Sequence, residues 1–374
     1  MSVLCSVDQG FVLSHSQFIN HVYSGLESDP AFRVREEMFA VNTPYTSEKP
    51  ARKKQKLCHA PDSKQESEIN FVKTSYTHII EKAKEKGYFN FSPTDLEENN
   101  KDCRDFSSEV FQESTLKGDA EPFHGGNTSD KIIVAQVEGS NYIIPPHCSF
   151  YCQDISRLSR EALKGDCPPD GFDLVIIDPP WWNKYIRRRK AANEKASYTM
   201  LRTSDLAQIP LKHLLSPGAL VAVWCTNSQS HIDDIHNELF PSWNLSFVAT
   251  WFWLKVDRSG RPICNFSPPT GKQPYERIIF GRCTTSNSPD PKDKQIIVSV
   301  PSAIHSHKPP LVEVLRQFAS SEPQTLELFA RSLLPRTASW GLEVLKLQHQ
   351  VLFIEGDPHS LKQNFLVYFD SFTV

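Results

Sequence analysis

Short apolar runs alternate with helical stretches in the C-terminal part of the chain. The apolar runs predict strands at 172–177, 219–224, 247–254, 277–280, 295–300 and 325–329. Apolar residues at helical spacing between them predict helices that include 203–215, 228–239 and 309–320. Strands that are apolar throughout belong in a sheet that is covered on both faces. The pattern therefore predicts a doubly wound α/β domain.

Polar stretches with almost nothing to bury divide the chain before this domain. The predicted division is a small N-terminal element at 1–45, a disordered basic linker at 46–70, a helical and loop region at 71–130, and the α/β domain at 131–374. The third part begins with a helix over 71–91, and the domain opens on a hairpin in which 132–137 and 142–144 flank a Gly-Ser-Asn turn. A small mixed N-terminal region thus precedes the α/β domain.

The composition is that of an ordinary globular protein, with 39% hydrophobic and 23% charged residues over 374 positions. No stretch approaches the roughly 20 apolar residues of a membrane span, and the first residues lack the layout of a signal peptide. The nine cysteines include no Cys-x-x-Cys pair, which argues against a disulfide framework and a zinc cluster. These features predict an intracellular protein with no membrane partner and no metal.

Charge is nearly balanced over the chain, at a formal net charge of -3. Any affinity for nucleic acid must therefore come from local basic clusters. One cluster lies in the linker and consists of Arg52, Lys53, Lys54 and Lys56. A nuclear address and a solvated linker are equally good interpretations of it. The expected location is the nucleus, with the cytosol and the mitochondrial matrix as alternatives.

The candidate chemistry concentrates at the turn after the strand 172–177. Asp178, Pro179, Pro180 and Trp181 follow this strand, and open α/β sheets bind ligands at the carboxyl ends of their strands. The Asp178 carboxylate and the Pro179 carbonyl, held by the stiff Pro-Pro pair, can accept hydrogen bonds from an amino group such as N6 of adenine. Trp181 can stack on the base. From the residues alone, a rigid turn with a capping carboxylate is the alternative.

The tetrad Asp178-Pro179-Pro180-Trp181 resembles the signature of amino-group methyltransferases. Downstream motifs narrow the resemblance to the eukaryotic adenine-N6 methyltransferase family that includes the messenger-RNA adenosine methyltransferase. These motifs are Ser306-His307-Lys308-Pro309, the run from Leu326 to Arg331, and Ser339-Trp340-Gly341. The resemblance covers about 130–350, and the segments SQFINHVYSGL and HSHKPPLVEVL resemble one branch of the family in particular.

The resemblance implies a Rossmann-like methyltransferase fold, S-adenosylmethionine as cofactor, and a permuted motif order. In that order the catalytic turn precedes the strand that meets the cofactor, so no Gly-x-Gly-x-x-Gly loop is expected before residue 178. The implied cofactor contacts are Asp154 and Ile155 at the adenine, Glu327, Arg331 and Glu343 near the ribose, and Asp178 and Lys308 at the methionine moiety. From the residues alone, Lys308 is otherwise a surface lysine, and Glu327 and Arg331 an exposed ion pair.

Three positions depart from the family pattern. Leu333 and Leu334 replace small polar residues, and Leu342 replaces an Asn. These departures predict weaker cofactor binding, or a ribose held through Glu343 and the main chain.

The predicted substrate contacts are Trp181, the basic run Arg187, Arg188, Arg189 and Lys190, and Tyr198. Because the basic run lies directly after the catalytic turn, it is expected to meet phosphates and to make binding depend on salt. A solvated loop is the alternative for it. By resemblance, Tyr198 lines the pocket for the target base. His305 and His307 have no third ligand nearby, so they predict no metal site.

The leading hypothesis is an enzyme, working as a monomer or with a partner chain, that methylates N6 of adenine in nucleic acid. By resemblance, its substrate is RNA, such as the 2′-O-methyladenosine of small nuclear RNA, with DNA adenine as the alternative. A second hypothesis is a catalytically silent nucleic-acid-binding subunit, and a third is a methyltransferase for glutamine or a small amine. Asp178 and Lys308 favour the first hypothesis over the second, whereas Leu342 favours the second.

Overall fold

The structure is a computed structural model of the chain. It describes residues 2–24, 32–45, 63–92, 100–113, 122–182, 200–269, 271–283, 288–320, 322–355 and 368–369.

The strands and helices are short for the most part. The strands are β1 (Val3–Val7), β2 (Gly10–Leu13), β3 (Phe32–Val34), β4 (Phe123–Asn127), β5 (Ile133–Val137), β6 (Ser140–Ile144), β7 (Cys148–Cys152), β8 (Phe172–Ile177), β9 (Leu215–Cys225), β10 (Ser246–Lys255), β11 (Tyr275–Arg282), β12 (Ile296–Ser299), β13 (Thr325–Leu328), β14 (Thr337–Trp340), β15 (Phe353–Glu355) and β16 (Tyr368–Phe369). The helices are α1 (His15–Val22), α2 (Ser63–Glu85), α3 (Lys101–Glu113), α4 (Thr203–Ala207), α5 (Gln229–Asp234), α6 (Phe240–Ser242) and α7 (Val312–Leu315), with a π-helical turn at Ile235–Leu239.

Twelve strands form one sheet, in the order β1-β2-β12-β10-β11-β9-β8-β13-β14-β7-β4-β16. The five central strands β9, β8, β13, β14 and β7 are parallel. From β8 the chain continues to β9 on one side and returns through β13 on the other, so the strand order reverses beside β8. The arrangement confirms the predicted α/β class and is consistent with a Rossmann-like methyltransferase fold, whose ligands bind at such a reversal.

Both faces of the central strands are buried. Val175 of β8 packs in a core with Leu206 of α4 on one face, and Ile176 packs in a second core with Leu315 of α7 on the other. This two-sided burial is the reason why β8 is apolar at nearly every position. It follows that Asp178, the first charged residue after β8, emerges at the edge of a well-packed sheet.

The N-terminal hairpin β1-β2 is part of the same sheet, since β2 pairs with β12 in parallel. The approach is close: a Cβ atom on Gly10 would lie 1.9 Å from the Ile296 carbonyl oxygen. Helix α2 begins at Ser63, inside the stretch that was expected to be linker, and it contacts β1, β2 and β12. The four-part division of the chain stays a prediction, but the first part and the α/β domain share one sheet.

Candidate active site

Three charged side chains that are remote in the sequence meet at the carboxyl ends of β8 and β13. Asp178 follows β8, Arg331 lies just beyond β13, and Lys308 lies in the connection between β12 and α7. The Lys308 Nζ is 3.5 Å from Asp178 Oδ1, and the Arg331 Nη1 is 2.9 Å from Asp178 Oδ2. The side chains of Asp178 and Lys308 therefore face one pocket, as the family resemblance implies.

Asp178 is the centre of a longer chain of ion pairs with alternating charge. Its members, in order of contact, are Lys255, Glu276, Lys308, Asp178, Arg331, Glu343 and Lys346. Burial on its own would raise the pKa of Glu276, but Lys255 and Lys308 hold it well below its ordinary value. Burial lowers the pKa of Lys308, but Asp178 and Glu276 more than offset this and raise it. Glu276 and Lys308 are therefore both charged at neutral pH.

Two polar atoms in the same pocket are shielded from solvent and have no hydrogen-bond partner among the residues that the structure describes. They are Glu327 Oε2, at the end of β13, and His307 Nδ1, next to Lys308. Unpaired buried polar atoms are rare and costly, so these two indicate that the pocket is completed by a ligand. The backbone is also strained here, because Ser306 and Phe329 have φ of 64° and 59°.

The pocket is a cleft that is partly open to solvent, with a cavity volume of about 70 Å³. Asp178, Lys308, Glu327 and Arg331 form its polar side. Helix α1 contributes an apolar wall, and Leu333 and Leu334 also line the pocket. Sequence reasoning did not anticipate that the N-terminal helix would contribute to this site.

The turn of Asp178, Pro179, Pro180 and Trp181, which is predicted to hold the target adenine, is rigid. The Pro179 carbonyl accepts a hydrogen bond from Trp181 N at 2.8 Å, and the Pro180 carbonyl accepts one from Leu201 N at 3.1 Å. A carbonyl oxygen has two lone pairs, so the Pro179 oxygen has room for one further donor. Trp181 is largely buried, and its ring stacks on His231. Stacking of a target base on Trp181 stays a prediction.

Residues 172–343, which include every member of this chain of ion pairs except Lys346, match the MT-A70 family. The chain carries an MT-A70 domain. It is 39% identical over 239 residues to the human N(6)-adenine-specific methyltransferase METTL4, an alignment that covers 61% of this chain and 48% of that protein. METTL4, methyltransferase-like protein 4, is the branch that the SQFINHVYSGL and HSHKPPLVEVL segments resemble.

Two further relatives carry names that refer to different nucleic acids. The DNA N6-methyl methyltransferase of Caenorhabditis elegans is 34% identical, over 59% of this chain and 58% of that protein. The N6-methyladenosine RNA methyltransferase MTA1 of Cryphonectria parasitica is also 34% identical, over 56% of this chain and 62% of that protein. The chain spans about half the length of the METTL4 proteins it matches.

The other predicted cofactor contacts lie along the same edge of the MT-A70 sheet. Asp154 follows β7 and caps a short turn by accepting a hydrogen bond from Ser156 N at 2.9 Å. Its carbonyl accepts a bond from the Trp340 indole at 3.2 Å, and Ile155 begins that turn. Since β7 is three strands from β8, these two residues lie roughly 14 Å from the Asp178 pocket along the sheet. They do not line the pocket, whereas Glu343 is linked to it through Arg331.

The three leucines that depart from the family pattern differ in their exposure to solvent. Leu333 is 2% exposed and packs in a core with Phe150 of β7, whereas Leu342 is 55% exposed. An exposed Leu342 does not block the pocket, so the departure at 342 removes a polar group without closing the site. Leu333 and Leu334 make one wall of the MT-A70 pocket more apolar than the family pattern implies.

Sequence reasoning missed Glu276 and His231, which contact Lys308 and Trp181 respectively. A glutamate directly before the apolar part of strand β11 was the available signal for Glu276. The predicted substrate contacts Arg187, Arg188, Arg189, Lys190 and Tyr198 lie outside the residues that the structure describes.

The residues that the structure describes include neither a metal-binding cluster nor a membrane-spanning helix. No cluster of three or more His, Cys, Asp or Glu side chains there is arranged to hold a metal ion. Among the same residues, no helix has the length and apolar character that crossing a bilayer requires.

Proposed function

We propose that this chain transfers a methyl group from S-adenosylmethionine to N6 of adenine in nucleic acid. The observation that carries the proposal is the Asp178 carboxylate at the strand-order reversal, in contact with both Lys308 and Arg331 inside one pocket. The names of the relatives support the reaction, because human METTL4 is named an N(6)-adenine-specific methyltransferase. Such a site can bind both the amino acid end of a cofactor and the amino group of a base.

The pocket residues fit the cofactor. Lys308 would hold the carboxylate of its methionine moiety, and Asp178 its ammonium, both through charge-assisted hydrogen bonds. The unpaired Glu327 Oε2 would take a hydrogen bond with a ribose hydroxyl, and Arg331 and Glu343 lie beside it. Asp154 and Ile155 would meet the adenine at the far end of the sheet edge. When bound, the cofactor supplies the electrophilic methyl group.

Asp178 and Pro179 would orient the attacking amine. An ionised carboxylate offers about four lone-pair positions. Asp178 contacts Lys308, Arg331 and, at 3.4 Å, the Ser306 hydroxyl, so it would release the Ser306 contact to accept both the cofactor ammonium and an N–H from N6. The Pro179 carbonyl can accept the second N–H with its remaining lone pair. These acceptors draw electron density towards the nitrogen at the moment of attack. The proton released afterwards passes to water or to Asp178.

The specific substrate that we propose is RNA, such as small nuclear RNA in which the target adenosine already carries a 2′-O-methyl group. The names of the relatives support adenine of nucleic acid in general, since one refers to DNA and another to RNA. A nuclear location follows from this substrate and from the basic cluster at 52–56. DNA adenine is the competing outcome of the substrate test.

The test is methyl transfer from labelled cofactor to a panel of RNA and DNA oligonucleotides, followed by mass analysis of the nucleosides. Asp178→Asn should lower the rate at least about 100-fold, since removal of one positioned charge from a reacting centre has an effect of that size. Its thermal midpoint should fall, because Lys308 and Arg331 lose the carboxylate that they share, so rates are compared at a temperature at which the variant is folded. Substantial N6-methyladenosine formation by a folded Asp178→Asn variant would refute the mechanism.

A catalytically silent subunit is the second candidate. It is favoured by the apolar wall that Leu333 and Leu334 form, where the family pattern has polar residues. Calorimetric titration with S-adenosylmethionine separates the two candidates. Binding that is lost in Lys308→Met supports the enzyme, and the absence of any binding supports the silent subunit.

A further inference from the structure

Trp181, at the end of the catalytic turn, is fixed by its surroundings from two directions. Its indole Nε1 donates a hydrogen bond to the Trp224 carbonyl at 2.8 Å, and the side chain is 8% exposed. One face of the indole stacks on the His231 imidazole, with ring centroids 4.9 Å apart and planes 18° from parallel. A ring that is both hydrogen-bonded at its edge and stacked on its face has a single orientation.

His231 is fixed in turn by the loop that follows β9. Its Nδ1 is 2.8 Å from Thr226 Oγ1, which also accepts a hydrogen bond from Ser228 N at 3.2 Å. The imidazole also lies close to the main chain of Trp182. His231 therefore connects the loop after β9 to the end of the turn that begins at Asp178.

A second residue of α5, Asp234, contacts the start of helix α4. Asp234 accepts a hydrogen bond from Thr203 Oγ1, the first residue of α4, at 2.7 Å. Residues three apart share one face of a helix, so His231 and Asp234 are presented together. One short helix thus contacts both Trp182 and Thr203.

We propose that His231 is a positioning residue of the methyl-transfer site, which orients the Asp178-Pro179 turn by fixing the plane of Trp181 and the main chain of Trp182. This inference rests on the proposed function. His231 itself touches no reacting atom. Its effect comes from geometry, because a shift of about 1 Å in reacting groups can cost on the order of 100-fold in rate.

The experiment compares His231→Ala and His231→Phe with the control His236→Ala. His236 lies in the π-helical turn after α5 and contacts Phe240 and Phe247 instead of the catalytic turn. His231→Ala should lower kcat roughly 10- to 100-fold, with cofactor affinity unchanged. His231→Phe, which keeps a ring for stacking, should recover part of the loss. His236→Ala should keep the kcat of the unchanged protein.

Hydrogen exchange at the Trp181 indole, assigned with Trp181→Phe, gives a measurement that does not depend on activity. Exchange of this N–H should be about tenfold faster in His231→Ala, because the buried contact opens more often. An unchanged kcat, an unchanged exchange rate, or a fall in kcat matched by an equal loss of cofactor affinity would each refute the positioning role. If the unchanged protein methylates no adenine, the proposed function fails, and faster exchange would still support His231 as the residue that holds the turn.

Discussion

Glu327 is the residue of the site with the most unusual protonation. Burial and the neighbouring Asp178 raise the pKa of its carboxyl to about 8, and Arg331 opposes this only in part. The group is therefore mostly protonated at neutral pH. A protonated carboxyl can donate as well as accept a hydrogen bond, which suits a partner with two hydroxyl groups such as a ribose.

This protonation predicts a specific pH dependence of stability. Because the pKa is about 8 in the folded state and 4.5 ordinarily, the folded protein keeps a proton that the unfolded chain releases. The contribution of Glu327 is fully present below about pH 4.5 and is lost as the pH rises through 8. Between pH 5 and pH 8.5 the free energy of unfolding should therefore fall more in the unchanged protein than in Glu327→Gln. Urea unfolding without cofactor measures this, and parallel pH profiles for the two proteins would contradict it.

The motif positions Asp178 and Lys308 were found from the sequence, but their partners were not. Motif spacing places a carboxylate after β8 and a lysine before α7, and both are in the pocket. Glu276 contacts Lys308 only because β11 lies next to β9 in the sheet. His231 contacts Trp181 only because α5 follows β9 at the same edge. Contacts of this kind depend on strand order, which local patterns do not specify.

At the scale of elements, the strands were predicted well where both faces are buried. All six predicted strands occur, because apolar residues on both sides produce an unbroken apolar run. Strands β7 and β14 were missed, since the runs CSFYC and TASW mix polar with apolar residues. The helices predicted at 203–215 and 309–320 are only a few residues long, and β9 already begins at Leu215. Apolar residues at helical spacing also occur in short 3-10 turns. A prediction from spacing alone therefore makes the helices too long.

Two leucines on either side of β14 make a matched pair, Leu333 in the connection from β13 and Leu342 just after β14. Leu333 is 2% exposed and Leu342 is 55% exposed. Leu333→Ala should cost about 2 to 5 kcal/mol in the free energy of unfolding, as is usual for a buried leucine. Leu342→Ala should change it by less than about 0.5 kcal/mol, as is usual for a surface site. Urea unfolding of the two variants is the measurement, and equal losses would show that the connection packs differently.

On the scale of the whole molecule, the N-terminal region and the MT-A70 domain form one structural unit. Strand β2 extends the central sheet through β12, and helix α1 supplies one wall of the pocket. Boundaries inferred from composition cannot reveal this, because polar stretches interrupt the sequence without interrupting the sheet. The family match at 172–343 thus covers the charged centre of the site but not the wall that helix α1 supplies.

The proposed binding of nucleic acid concerns the whole molecule, and with a net charge of -3 it would depend on local basic clusters. The predicted cluster is Arg187, Arg188, Arg189 and Lys190. Changing all four to Gln should raise the KM for an oligonucleotide and reduce the slope of log affinity against log salt by up to about 3 for a single strand, since each phosphate contact contributes about 0.7.

The cluster Arg52, Lys53, Lys54 and Lys56 provides a matched control, because it also has four basic residues but is remote from the catalytic turn in sequence. Its replacement by Gln should change the salt slope less than replacement of 187–190 does. Cofactor affinity should be unchanged in both variants, because Asp178 and Lys308 are intact. An equal or larger change in slope from the linker variant would assign phosphate binding to the linker instead of to the segment after Trp181.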